Sequence, residues 1–166
     1  MSTNIVLPEL AQWVQNHISA IIQAQTQADL EDAVDAFLAK NATIVVNGAQ
    51  LSQADFIQQL SSENFAEEGA TVTFNNSLQV PATAGDNFTA GSVGLFYTAD
   101  IAQRFVIRDA PITSQVIASL NVVVGPDPTI PKPPPSPIHG FFDPRRVTSL
   151  NEVRIQAPLT ATVTTQ

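Results

Sequence analysis

An α+β fold with its helices first and its strands last is the class this sequence predicts. Three observations carry it. Apolar residues recur at three- and four-residue spacing in three stretches before residue 63. After Gly69 the pattern changes to long runs rich in β-branched residues, several of them alternating with period two. Hydrophobic residues make up 44% and charged residues 13% of the 166, which excludes a wholly disordered chain and suits about one domain.

The first helix spans roughly 8–24. Pro8 suits a first helical turn, Glu9 lies near the positive end of the dipole, and Leu10, Trp13, Val14, His17, Ile18, Ile21 and Ile22 form a wide apolar face. The second covers 27–40: Thr26 to Asp29 resembles a capping box, Leu30, Ala33, Val34, Phe37 and Leu38 form the stripe, and Lys40 is expected in the last turn. A short link should fold these two back as a hairpin. Ala42 to Val46 reads as a strand ended by the turn pair Asn47-Gly48. Ser52 then caps a third helix, 52–62, that buries Phe56, Ile57 and Leu60. Long strands follow at 71–80, 88–98, 103–108, 113–124 and 147–157, with Gly91 and Gly94 suggesting a bend or bulge. Residues 113–124 are apolar on both faces, with Ile117 and Val123 opposing the Val116 set. In the last strand Val153, Ile155 and Ala157 share one face, and Glu152, Arg154 and Gln156 the other.

Between the last two strands, residues 125–144 hold eight of the twelve prolines. Proline fixes φ and donates no hydrogen bond, so the segment should run as extended polyproline II outside any sheet. A stiff surface loop, a lid or dimer arm, and a proline-motif ligand remain alternatives. Residues 158–166 read as a frayed tail, and the whole of 1–166 as a single domain.

The chain is acidic, with net charge −8, so nucleic acid is a poor partner. Charge is uneven: residues 1–103 hold one base and eleven acids, and residues 104–166 hold six bases and four acids. Without cysteine there is no disulfide framework, thiolate zinc site or cysteine nucleophile. No targeting signal or membrane-spanning run is seen, so a cytoplasmic location is the default. The triplets at Asn41, Asn75 and Asn87 matter only in a secreted protein. No phosphate loop, dinucleotide glycine pattern or metal-ligand spacing is present, so neither a cofactor nor a metal is expected.

Residues Phe37 to Gly48, followed by Ser52 to Ile57, resemble the passage from second helix through first strand into third helix of the nuclear transport factor 2-like superfamily. That superfamily includes the SnoaL-like cyclases, ketosteroid isomerase and scytalone dehydratase. The resemblance implies a cone-shaped, curved mixed sheet wrapped around the three helices, an apolar cavity at its mouth, and in many members dimerisation through the outer sheet face. The catalytic sets do not carry over. The isomerase base position is Val46, and the helix tyrosine position falls at Ile21 or Ile22. His17 lies on the first helix and His139 in the proline segment, unlike the dehydratase pair, and no spacing links Asp100 or Asp109 to either histidine.

The residues expected around one mainly apolar cavity are therefore Trp13, His17, Ile21, Phe37, Phe56 and Tyr97, with His17 and Tyr97 its principal polar groups. His17, Tyr97 and Asp100 are the weak catalytic candidates. Each has a plainer role: packed histidine, core aromatic, or a surface pair of Asp100 with Arg104. His139, Phe141 and Phe142 could close over a pocket. Three functions compete: binding of a small apolar molecule, a cyclase, dehydratase or isomerase acting on a polyketide- or terpenoid-like substrate, and a dimeric interaction module. A homodimer through the outer sheet face is expected, because apolar residues on that face need cover.

Overall fold

The computed structural model describes residues 7–64, 69–107, 110–134 and 142–159. Three helices come first: α1 (Leu10–Ile22), α2 (Gln27–Phe37) and α3 (Gln53–Asn64). Six strands follow or intervene: β1 (Leu38–Val46), β2 (Ala49–Leu51), β3 (Ala70–Pro81), β4 (Gly91–Ile107), β5 (Ala110–Pro126) and β6 (Arg145–Leu159). They form one curved, unclosed mixed sheet in the order β2-β1-β6-β5-β4-β3. The β1–β6 pair is parallel and the other neighbours are antiparallel. The α+β architecture is the expected one, and among the described residues no helix follows Asn64.

Local chemistry sets the helix starts. Thr26 accepts the Asp29 N–H at 3.1 Å and donates its hydroxyl to the Asp29 carboxylate at 2.6 Å. Ser52 does the same with Asp55, at 3.1 and 2.7 Å. Both hydroxyls cap their helices, and the aspartate in the capping-box glutamate position bonds the cap hydroxyl in return. α1 has no such cap. Its first amides are satisfied from the sheet side: Leu10 N donates to Asn87 O at 3.0 Å, and Ala11 N to the Gln79 side chain at 2.8 Å.

Some boundaries differ from the sequence expectation. α2 stops at Phe37, and Leu38 is already extended at φ −95°, ψ 141°, pairing with Val147. Lys40 therefore sits in a strand rather than in a last helical turn. The β-branched run that follows, and the partner strand β6, outweigh the stripe that seemed to continue the helix. The turn at Asn47-Gly48 is as read: both have positive φ, 50° and 83°, as a two-residue hairpin turn of this kind requires. It opens β2, a strand too short to show in the sequence. The two strands expected at 88–98 and 103–108 are one, β4. β6 runs to Leu159, beyond the expected end at Ala157. Pro131 to Pro134 are exposed and belong to no helix or strand. His139, Phe141 and residues 160–166 lie outside the described residues.

Two bulges decide what the outer face looks like. On β3, Phe74 pairs with Tyr97 but Asn76 pairs with Phe96, so Asn75 is an extra residue. On β6, Val147 pairs with Val124 but Ser149 pairs with Val123, so Thr148 is extra. An extra residue exchanges the faces of everything beyond it. Val72 and Phe74 face inward, but Leu78 and Val80, on the same alternation, face outward. Val147 faces inward, but Val153 and Ile155 face outward, and Leu150 and Glu152 take the inner positions.

The core lies between the inner sheet face and the helices. α1 buries Leu10, Trp13, Val14, Ile18, Ile21 and Ile22 against α2 and against inward residues of β4 and β5 such as Leu95, Ile101, Val116 and Leu120.

Candidate functional site

Two polar groups stand inside this apolar core. Tyr97, on β4, donates its hydroxyl to Glu152 Oε1, on β6, at 2.6 Å. The two strands are not neighbours; β5 lies between them and contributes Ala118, which pairs with Tyr97 on one side and Arg154 on the other. Alanine there leaves room for the phenol to reach across β5. Glu152 is only 3% exposed. Burial, and then the Glu152 charge, push the Tyr97 hydroxyl well above the usual tyrosine range, so it stays a donor. Beside the pair lies a cavity of about 20 Å³, lined by Tyr97, Glu152, Arg154 and apolar side chains including Ile21, Phe56 and Leu60. That is room for about one water.

A second cluster forms where β6 begins. Arg145 is 2% exposed and forms an ion pair with Asp143 at 2.7 Å. Its Nε donates to the other Asp143 oxygen at 2.8 Å, and Nη1 donates to Pro8 O and Phe88 O at 2.9 and 3.0 Å. The guanidinium lies 5.2 Å from the centre of the Trp13 ring, whose Nε1 donates to Asp143 at 2.9 Å. A buried charge needs this degree of satisfaction. His17 packs against both the Trp13 and the Phe37 ring, at 4.3 and 5.6 Å between centroids, and those two rings touch each other at 5.8 Å. Burial pushes its pKa down to about 4, with Asp143 opposing and Arg146 and Arg145 assisting.

The six residues expected around one cavity thus fall into two groups. Ile21, Phe56 and Tyr97 border the small interior cavity. Trp13, His17 and Phe37 form an aromatic cluster beside the Arg145–Asp143 pair, with Trp13 and His17 on the same face of α1 as Ile21 but one to two turns nearer its start. Among the described residues, the cavity that Tyr97 borders does not reach His17. Asp100 is exposed on the outer face and accepts from Gln115 at 2.8 Å; the Arg104 side chain lies outside the described residues. Among the described residues no three His, Asp or Glu side chains come together to hold a metal, and no helix is long and apolar enough to cross a membrane. Glu152, Asp143 and Arg145 were missed as site residues. In sequence Glu152 looks like a solvent-facing position, because the bulge that turns it inward leaves no mark there.

The outer face of the sheet is different. Leu78, Val80, Phe96, Ile117, Val123, Val153 and Ile155 are exposed large apolar residues, with Leu78 at 69%, Ile155 at 65% and Val153 at 62%. Ile117 pairs with Ile155, Ser119 lies between Val153 and Phe96, and Phe96 neighbours Asn76. The result is a diagonal apolar stripe from β6 to the far end of β3. Outward residues between Thr71 and Val80, Ser92 and Asp100, Gln115 and Val123, and Ser149 and Ala157 include one charge, Asp100.

The whole arrangement matches Mtr2 of Candida albicans with a TM-score of 0.58 at 12% identity, covering 90% of this chain and 95% of that one. An NTF-2-like protein of unknown function from Pseudomonas aeruginosa aligns at 0.48 and 14%, covering 87% and 96%. The fold is nuclear transport factor 2-like. At these identities the likeness reaches the fold alone. No family model matches this chain, and no curated protein matches it in sequence.

Proposed function

We propose that the protein is an interaction module that works as a homodimer joined through the outer face of its sheet. One contrast carries the reading: among the described residues the cavity beside Tyr97 measures about 20 Å³, while seven large apolar side chains stand exposed on an outer face whose central part carries one charge, Asp100. The cavity beside Tyr97 is too small for an apolar ligand or a polyketide-sized substrate. Interface cores are depleted of charge and rich in aromatic and apolar residues, as this face is. For a chain of net charge −8, a face with so little charge is also what lets a second acidic copy approach with little repulsion. A diagonal stripe maps onto itself under a two-fold axis running along it, so apolar residues meet apolar residues in an isologous pair.

Sedimentation equilibrium at micromolar concentration tests this. The expected mass is twice 17.7 kDa. Ile155→Asp and Phe96→Asp should each yield monomers with unchanged circular dichroism. A wild-type chain that stays at 17.7 kDa across the concentration range overturns the reading.

A further inference from the structure

The C-terminal half of β6 is written for two registers. Val147, Ser149, Asn151, Val153 and Ile155 share one alternation, and only the extra residue at Thr148 keeps Val153 and Ile155 from following Val147 inward. Moving residues 149–157 back by one along β5 would absorb Thr148 into the ladder. Val153 would then pair with Ala118 and Ile155 with Val116, both facing the core. Glu152 and Arg154 would turn outward, at the cost of exposing Leu150 and burying Asn151. Two apolar side chains gained against one lost, with a buried glutamate released, favour the second register, while burial of Ser149 and Asn151 and the parallel β1 ladder on residues 149–152 oppose it.

We propose that the Tyr97–Glu152 hydrogen bond is a register lock, selecting the register that turns Val153 and Ile155 outward. The bond is short, at 2.6 Å, and forms only when Glu152 is in. Two further bonds close the same register from the β1–β2 turn: Asn47 N donates to Glu152 O at 2.9 Å, and Arg154 N donates to the Asn47 side chain at 2.8 Å. Tyr97 and Glu152 are then positioning residues for the docking face, and this consequence rests on the homodimer reading above. The register itself does not.

The chain has no cysteine, so paired cysteines report register cleanly. Ile117→Cys with Ile155→Cys is opposite in the observed register; Ile117→Cys with Arg154→Cys is opposite only after a one-residue slip. In the otherwise wild-type chain the first pair should oxidise to a disulfide and the second should not. Adding Tyr97→Phe should raise the yield of the second pair about tenfold, the factor for losing a buried hydrogen bond to a charged group. Adding Glu152→Leu as well should return it to background, because leucine prefers the inner position. A Tyr97→Phe chain that keeps the wild-type cross-linking pattern overturns the lock. So does a Tyr97→Phe chain that unfolds while Glu152→Leu alone folds with that pattern, since the bond then acts on stability and not on register. A slip seen in a chain that never dimerises leaves the lock standing and removes the docking reading; dimers without a slip do the reverse.

Discussion

His17 and Arg145 are neighbours through Trp13, and each contributes a different kind of energy. His17 is held neutral, with its pKa near 4 in the folded chain against 6.5 unfolded. Between those values the unfolded chain takes up a proton that the folded chain refuses, so stability falls as pH falls through this window. Asp143 is partly buried, which raises its pKa, but the Arg145 bonds more than offset this and hold it below the usual aspartate value. Its contribution is therefore lost only at lower pH. His17→Gln should flatten the decline in urea midpoint between pH 6.5 and about 4, and a variant with the wild-type slope would refute the assignment. Arg145→Leu removes four side-chain bonds and strands Asp143 and two carbonyls, so it should cost about 3–5 kcal/mol in denaturant unfolding. The single tyrosine gives a spectroscopic check on the interior: tyrosinate absorbance should appear only as the chain unfolds in alkali, because Tyr97 is held well above its ordinary pKa.

At the scale of elements, Gly91 shows why β4 begins where it does. A Cβ there would meet the Val80 carbonyl oxygen, with Leu10 Cδ1 and the Pro81 Cα each at 2.9 Å. Backbone on one side and the first buried leucine of α1 on the other leave nothing able to move. Gly91→Ala should destabilise by about 1–3 kcal/mol, measured by thermal melting, without changing the helix content. The helix caps at Thr26 and Ser52, the Asn47-Gly48 turn and the alternation of Val116 to Val124 were all legible, because each is a local pattern with a local cause. Neither bulge was. A bulge is a relation between two strands, and a single strand read alone shows unbroken alternation through Asn75 or Thr148. For the same reason nothing in the sequence marks the face of Glu152 as the inner one, and Lys40 reads as helical: the strand that claims each position, β5 or β6, is far away in sequence.

For the whole molecule, the order of helices and strands was enough to reach the fold, but not the volume left inside it. Filling depends on which side chains meet, and the two bulges and the Ala118 gap decide that. If the interior is as full as its 20 Å³ cavity indicates, the wild-type chain should show no saturable binding of a benzene-sized probe. Phe56→Ala should enlarge that cavity enough to bind such a probe, at a cost of about 3–5 kcal/mol in stability. Calorimetric titration of both proteins checks this, and a wild-type chain that binds the probe with one-to-one stoichiometry would contradict the filled interior.

Arg145 also sets how the molecule answers a pull. Its guanidinium holds the Pro8 carbonyl just ahead of α1, the Phe88 carbonyl in the β3–β4 connection and the Asp143 carboxylate ahead of β6. Tension applied at the N-terminal side therefore does not peel α1 away turn by turn. It is delivered through a planar, doubly branched group to the first residues of the strand at the centre of the sheet, and the load is shared in shear across the β5 and β1 ladders. The end of the chain that looks easiest to unravel is mechanically fastened to the part that is hardest to break.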